Sequence, residues 1–341
     1  MIENQNVLSN NKSKNVKLNL LKGFACIGVV FIHVVFPGKT GQILVYASQY
    51  AVPIFFMIAG YYAFKKGYEV ILRRLIKIVK IFIFAYLLTL LYYMIVPALH
   101  HTLDDWLILN FNWKTPIKYL CFCTIDFAIH LWYLIAMIEI YIFWLLFVRK
   151  GKEKGTVKIF PILFILHILL TSYCETMNLD WFWKVNFITR GLSWFLLGYY
   201  LHTPKSKSIR DFSSVKLWIL VVIGCLISII PVAFNLKFKF NVIGYIPFAL
   251  GLFVLTLKEP GRSICKPIEF IGENLSLFIY IFHPLVRDAL NTVLAKVGLN
   301  IYNNVFLWVK PIIVLLITIL LSYIFYLRKK LKNELLTSKV L

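Results

Sequence analysis

Long apolar stretches alternate along the chain with short polar segments that carry lysine and arginine. A transmembrane helix needs about 20 consecutive, mostly apolar residues, and the pattern predicts ten such helices. The predicted spans lie near residues 18–36, 43–64, 75–97, 128–148, 157–173, 187–202, 215–234, 241–257, 268–290 and 304–327. Two of them, 157–173 and 187–202, are shorter than the others. The pattern therefore predicts an all-α integral membrane protein.

The composition supports the membrane interpretation. Apolar residues make up 60% of the 341 residues and charged residues only 15%, whereas a soluble domain has roughly 45–50% and 25%. The formal charge is +22, from 37 Lys and Arg against 15 Asp and Glu. In a soluble protein this excess would suggest nucleic acid. Here we expect no nucleic-acid partner, because cations also accumulate in the loops on one side of a membrane.

The positions of the cations predict an orientation. If the N-terminus is cytoplasmic, most of the lysines and arginines fall in cytoplasmic segments, and every cytoplasmic loop is basic. The positive-inside rule then places both termini in the cytoplasm. We expect a multi-pass protein of the plasma membrane, in contact with membrane lipids. We divide the chain into a cytoplasmic segment 1–17, a ten-helix membrane domain 18–327 and a basic cytoplasmic tail 328–341.

Ionisable side chains inside spans are costly in lipid and are candidates for function. His33 and His283 both lie about 15 residues into their predicted helices, and so at similar depth. Arg287 follows His283 by one turn on the same face. Glu139 either pairs with a neighbouring helix or lines a cavity, where it would meet Arg190 or a substrate hydroxyl. His167 completes the set.

Three cations lie at predicted cytoplasmic helix ends. Lys22 precedes His33 by eleven residues, which is about 16 Å along one helical face. Arg74 and Lys77 are three residues apart and share a face. Together the three could bind a multiply charged anion, since Arg forks onto phosphate oxygens and Lys adds point charge. Alternatively, they are anchors that extend to lipid headgroups.

The longest non-cytoplasmic segment, 98–127, offers a weaker candidate. It contains His-His and Asp-Asp pairs that could be drawn as a metal site, with Trp106 and Trp113 nearby. Tryptophan is common at membrane interfaces, so the segment is better interpreted as a solvated loop. We expect no metal.

Six stretches resemble the acyltransferase-3 family of membrane acyltransferases, in order and at compatible spacing. The first helix is similar to the family signature of a basic residue, ten intervening residues and a histidine. The other stretches are similar to the family's "VPxFFxxSGY", Arg-x-x-Arg, "HLWYL", "FLLGYY" and "GxxSLxIYxxHP" elements. In chain order, the six stretches lie at residues 22–33, 52–62, 73–78, 130–134, 195–200 and 272–284. The resemblance is to members without a fused extracytoplasmic domain.

The resemblance implies transfer of an acyl group, usually acetyl, from cytoplasmic acyl-CoA to a hydroxyl of a cell-envelope glycan or lipid-linked sugar. Acyl-CoA would be a donor substrate, and no cofactor would be permanently bound. The family's essential histidine corresponds to His33. Its first-helix basic residue corresponds to Lys22, and its Arg-x-x-Arg to Arg74 and Lys77. The chain departs from the pattern because Asn19 stands where Asp is common, Lys77 replaces Arg, and no Pro follows it.

The chemistry agrees with this implication and leaves two questions open. His33 could take a hydroxyl proton as a general base, or carry the acyl group transiently as a nucleophile. His283 and Glu139 are possible assisting residues.

The chief alternative function is a transporter or flippase of a lipid-linked glycan. Such a protein would more often show internal repeats, and none is visible. A receptor is a third possibility, but it would not need a cytoplasmic anion site.

Overall fold

The structure is a computed structural model that describes residues 15–236, 241–258, 260–298, 300 and 303–338, and the regular structure within these ranges is entirely helical. Sixteen α-helices follow in chain order: α1 Val16–His33, α2 Gly38–Ala47, α3 Ala51–Tyr61, α4 Tyr68–Leu99, α5 Leu103–Asn110, α6 Thr115–Phe122, α7 Trp132–Arg149, α8 Glu153–Thr156, α9 Phe160–Thr176, α10 Ser193–His202, α11 Lys207–Arg210, α12 Ser214–Ala233, α13 Asn241–Lys258, α14 Lys266–Phe270, α15 Ser276–Lys296 and α16 Asn304–Ser338. Two π-helical turns, Phe187–Leu192 and Ile271–Leu275, lead directly into α10 and α15.

The predicted fold class, an all-α integral membrane protein, is confirmed. Each predicted apolar run contains helix, and nine helical segments of the described chain are long and apolar enough to cross a membrane. The predicted run 187–202 is absent from these nine. It forms a π-helical turn followed by α10, which is too short for a full span and is almost entirely buried among its neighbours.

Three details differ from the sequence prediction. The run 43–64 is broken after Ala47 into α2 and α3. The segment 98–127, predicted to be a solvated loop, contains α5 and α6. Helix α16 continues past residue 327, the predicted end of the membrane domain, to Ser338.

Close helix crossings at glycines organise the bundle around α1. Gly60 of α3 packs on the backbone of Phe195 in α10, and Gly198 of α10 packs on the backbone of Met57 in α3. Gly272, in the second π-helical turn, packs in the same way on the backbone of α1. Small residues permit such approaches in membrane proteins. Helix α1 also contacts α3, α14 and α15, and α3 and α15 carry motifs described above.

We call the end of the bundle at the start of α1 the basic end, because Lys22, Arg74 and Lys77 lie there. The opposite end, where α1 finishes at His33, is the cavity end. Helix α4 runs from one end to the other and packs on α7. The outward side of α4 exposes apolar residues such as Leu91, as expected for a helix that faces lipid.

Candidate active site

A cavity of about 790 Å³ opens at the cavity end. Its walls come from the end of α1, the outer part of α4, the segment with α5 and α6, the 3-10 turn Asp126–Leu131 and the middle of α15. His33, His130 and Arg287 supply polar groups to it, and Trp106 and Phe127 supply aromatic ones. The cavity is large enough for a sugar ring and presents the histidine that the first-helix motif contains.

Three histidines from separate helical elements meet beside this cavity, and two of them, His33 and His130, line it. His33 is the last residue of α1, and its ring centroid lies 5.1 Å from that of His283 on α15. The His283 ring also lies 6.0 Å from the ring of His130. The similar depth predicted for His33 and His283 therefore corresponds to direct contact.

Hydrogen bonds hold the cluster in position. The Nδ1 atom of the fully buried His283 lies 3.0 Å from the carbonyl of Ile279, one turn earlier. The Tyr280 hydroxyl donates to the carbonyl of His130. The Nε2 atoms of His130 and His283 are buried and have no hydrogen-bond partner among the described residues. The cluster is thus anchored through the backbone, while ring nitrogens remain available.

An ion-pair network braces the rim of the cavity. Arg287 Nε and Nη2 donate to the two carboxylate oxygens of Asp288, at 2.6 and 2.9 Å. Arg287 Nη1 donates to the carbonyl of His33 at 3.3 Å, and the Tyr93 hydroxyl donates to Asp288. Helices α1, α4 and α15 are thereby tied together where His33 meets the cavity.

Sequence reasoning missed three members of this site. His130 stood at the start of the "HLWYL" stretch but was not counted among ionisable residues inside spans. Asp288 follows Arg287 directly, and Tyr93 carries no sequence signal that separates it from other tyrosines in α4. The motif was a usable signal for His130, and adjacency to Arg287 for Asp288.

The basic end brings the three predicted cations to one region. Lys22 is half-buried in α1 and close enough to Glu273 and to Lys77 for its charge to interact with theirs. The guanidinium of Arg74 lies close enough to the hydroxyl of Tyr141 on α7 to interact with it. Within the described part of the chain, none of the ion pairs involves these cations. The arrangement can receive an anion with several negative charges.

The remaining intramembrane candidates lie apart from the large cavity. Glu139 accepts a hydrogen bond from the Cys123 thiol at 3.0 Å. Arg190 does not pair with Glu139; its guanidinium lies 4.8 Å from the centroid of the Trp132 ring. His167 Nε2 lies 2.8 Å from the Tyr245 hydroxyl. Among the described residues, no group of three or more His, Cys, Asp or Glu side chains is arranged to hold a metal ion.

Comparison with known proteins gives one match. The sequence profile of a family described as an acyltransferase domain, Acyl_transf_3, matches residues 15–327. No curated protein and no solved structure shows a significant match.

Proposed function

We propose that this protein transfers an acetyl group from acetyl-CoA to a hydroxyl of a cell-envelope glycan. The chain belongs to the acyltransferase-3 family and is therefore a multi-pass membrane acyltransferase. The basic end would face the cytoplasm and bind the donor. The cavity end would face outward from the plasma membrane and bind the acceptor. One observation carries the proposal: α1 joins the basic cluster at Lys22 to the histidine cavity at His33.

The dimensions of α1 suit the donor. CoA carries phosphates that cannot enter lipid, so its nucleotide would remain at the basic end with Lys22, Arg74 and Lys77. Eleven residues of α-helix separate Lys22 from His33, about 16 Å. An extended pantetheine arm is long enough to span this distance, which would place the thioester beside the histidine cluster.

His33 is the proposed catalytic residue, as a general base. A neutral imidazole accepts the proton of the acceptor hydroxyl while that oxygen attacks the thioester carbonyl. The carbon–sulfur bond then breaks, and the sulfur of CoA leaves and takes up the proton from His33. The products are the acetyl ester and free CoA. His283 supports the ring of His33, and Glu139, which lies outside the cavity, is assigned no step.

The test uses the purified full chain in proteoliposomes with radiolabelled acetyl-CoA and envelope glycan fractions. We expect label on the glycan only when acetyl-CoA meets the basic end and glycan meets the cavity end. Label that stays on the protein through denaturation would favour an acyl-histidine intermediate over general base catalysis. Movement of glycan across the membrane without consumption of acetyl-CoA would contradict the proposal and favour a flippase.

A further inference from the structure

A second, much smaller cavity lies among α3, α7, α9, α10 and α13, and it shares no lining residue with the large one. Its volume of about 10 Å³ is close to the space that one water molecule needs. Its polar groups come from Gln49, His167, Arg190 and Tyr245, and Trp132 supplies an aromatic face. We call this cavity the Arg190 pocket. Neither the proposed donor site nor the proposed acceptor site makes use of it.

Arg190 brings a positive charge to this pocket without a matching negative one. Its guanidinium lies over the Trp132 ring, 4.8 Å from the centroid, and no carboxylate of the described residues lies within 4 Å of it. Glu175 is close enough to attract Arg190, but Glu175 is already paired with Lys184 at 3.1 Å. Two cations thus share one carboxylate, and the three groups carry one net positive charge. Such a charge is costly inside a membrane protein.

A buried histidine adds a hydrogen-bonding group without a partner. His167 is 1% exposed, and its Nε2 atom lies 2.8 Å from the Tyr245 hydroxyl. Its Nδ1 atom is buried and has no hydrogen-bond partner among the described residues. When Tyr245 donates its proton to Nε2, the imidazole proton is on Nδ1 and can be donated in turn. The half-buried amide of Gln49 lines the same pocket and supplies further N–H groups. The pocket therefore combines a cation with several donors, a set of groups that binds anions.

We infer that the Arg190 pocket binds one small monovalent anion, of which chloride is the representative. The charge balance requires a single negative charge, which a water molecule does not supply. Chloride is only slightly larger than water, whereas the volume of the pocket excludes sulfate and phosphate. The bound anion would join α9 to the π-helical turn Phe187–Leu192, since His167 and Arg190 come from these two elements. The site stabilises the bundle and takes no part in acyl transfer.

The experiment measures chloride binding to the purified full chain in a nonionic detergent without phospholipid. Radiolabelled chloride is followed by equilibrium dialysis, and the unfolding temperature is measured in sodium chloride and in sodium gluconate of equal ionic strength. We expect one saturable chloride site, and an unfolding temperature about 2–4 °C higher in chloride once the site is largely filled. Arg190→Gln should weaken chloride binding roughly 10-fold or more and abolish the difference between the two salts.

The matched control is Arg149→Gln, which makes the same change at an exposed arginine that does not line the pocket. Its chloride binding should equal that of the unaltered chain. Gln49→Ala keeps the charge of Arg190 and serves as a second variant if Arg190→Gln does not fold. This variant should weaken chloride binding roughly 2- to 10-fold, because one neutral hydrogen-bond donor is lost.

Two results would overturn the inference. The folded, unaltered chain could show no saturable chloride site, which would mean that the pocket holds water only. Alternatively, folded Arg190→Gln or Gln49→Ala could bind chloride as tightly as the unaltered chain, which would place the anion elsewhere. Neither measurement needs acetyl-CoA or an acceptor, so the outcome is independent of the proposed function.

Discussion

Both ends of the bundle hold cations, but the two ends differ in whether carboxylates form ion pairs with those cations. At the cavity end, Arg287 and Lys118 are each fixed by a carboxylate in a two-oxygen contact. At the basic end, Lys22, Arg74 and Lys77 have no ion pair within 4 Å in the described part of the chain, and the carboxylate of Glu273 lies only near enough to Lys22 to attract it. Cations near one another repel, and such an arrangement is most stable when an anion is bound between them.

Under the proposed function, this difference separates recognition of the donor from the chemistry of transfer. The basic end is suited to a ligand of high negative charge, which the phosphates of CoA provide. The cavity end has its own charges largely cancelled and presents imidazoles instead, which suits the handling of a proton from a neutral hydroxyl. Each of the following variants alters one end, or the scaffold between them, and leaves the remainder intact.

The largest effect is expected from His33→Ala. Loss of a general base typically lowers the rate 10²–10⁴-fold, whereas CoA affinity should persist because the basic end is untouched. Acetyl transfer and CoA binding are measured on the same preparation. His283→Ala should be milder, since His283 does not line the cavity. The control is His100→Ala, an exposed histidine; if His33→Ala transfers acetyl groups as well as this control does, the catalytic assignment is wrong.

A smaller effect is expected from Arg74→Gln. Removal of one charge-assisted contact to phosphate costs about 1.5–3 kcal/mol, which corresponds to roughly 10- to 150-fold weaker CoA binding by calorimetry. The neighbouring Arg73 is exposed, so Arg73→Gln supplies a control with the same change in charge. Equal losses in the two variants would mean that general positive potential, and not a site at Arg74, binds the donor.

The scaffold between the ends can be perturbed with Gly60→Ala. The added methyl group would collide with the backbone of Phe195, and overpacking of this kind costs about 1–3 kcal/mol. We expect a lower unfolding temperature in detergent. Gly67→Ala is the matched control, because nothing lies within 4 Å of its added Cβ. A Gly60→Ala protein as stable as this control would show that α3 and α10 can separate without loss.

The smallest effect is expected from Lys77→Gln. Lys77 is exposed, and an exposed charge contact contributes only about 0.2–1 kcal/mol. CoA binding should weaken by a few-fold at most, and the difference from the unaltered chain should shrink as salt is added. A loss as large as that of Arg74→Gln, unaffected by salt, would place Lys77 in a desolvated contact instead.

The lengths of the apolar runs alone predicted where the membrane helices lie, because a segment that crosses lipid must satisfy its backbone hydrogen bonds internally and so forms a helix. They could not predict the break after Ala47, or that the 187–202 run would be a short buried helix, since both depend on packing against neighbours. The meeting of His33 with His283 is also a tertiary fact. Equal depth placed them in one layer of the membrane, but only the crossing of α1 with α15 makes them adjacent.

In segment 98–127, the sequence pattern did not reveal the helices that are present. Its polar residues and tryptophans suggested a solvated loop, yet α5 and α6 form one wall of the cavity. Helices of this length are too short to be marked by hydrophobic periodicity. His130 was passed over for a related reason, because it precedes α7 in a 3-10 turn and so falls at the margin of its predicted span.

The π-helical turn Ile271–Leu275 determines how α15, which follows it, is rotated about its own axis. Removing one residue from a helix turns the following part by about 100°, since an α-helix has 3.6 residues per turn. The wide turn lets Gly272 meet α1 and still leaves His283 and Arg287, more than two turns later, directed at His33. A single-residue deletion there would keep both ends chemically complete and aim α15 in the wrong direction. The orientation of α15 toward His33 therefore depends on residues that do not line the cavity.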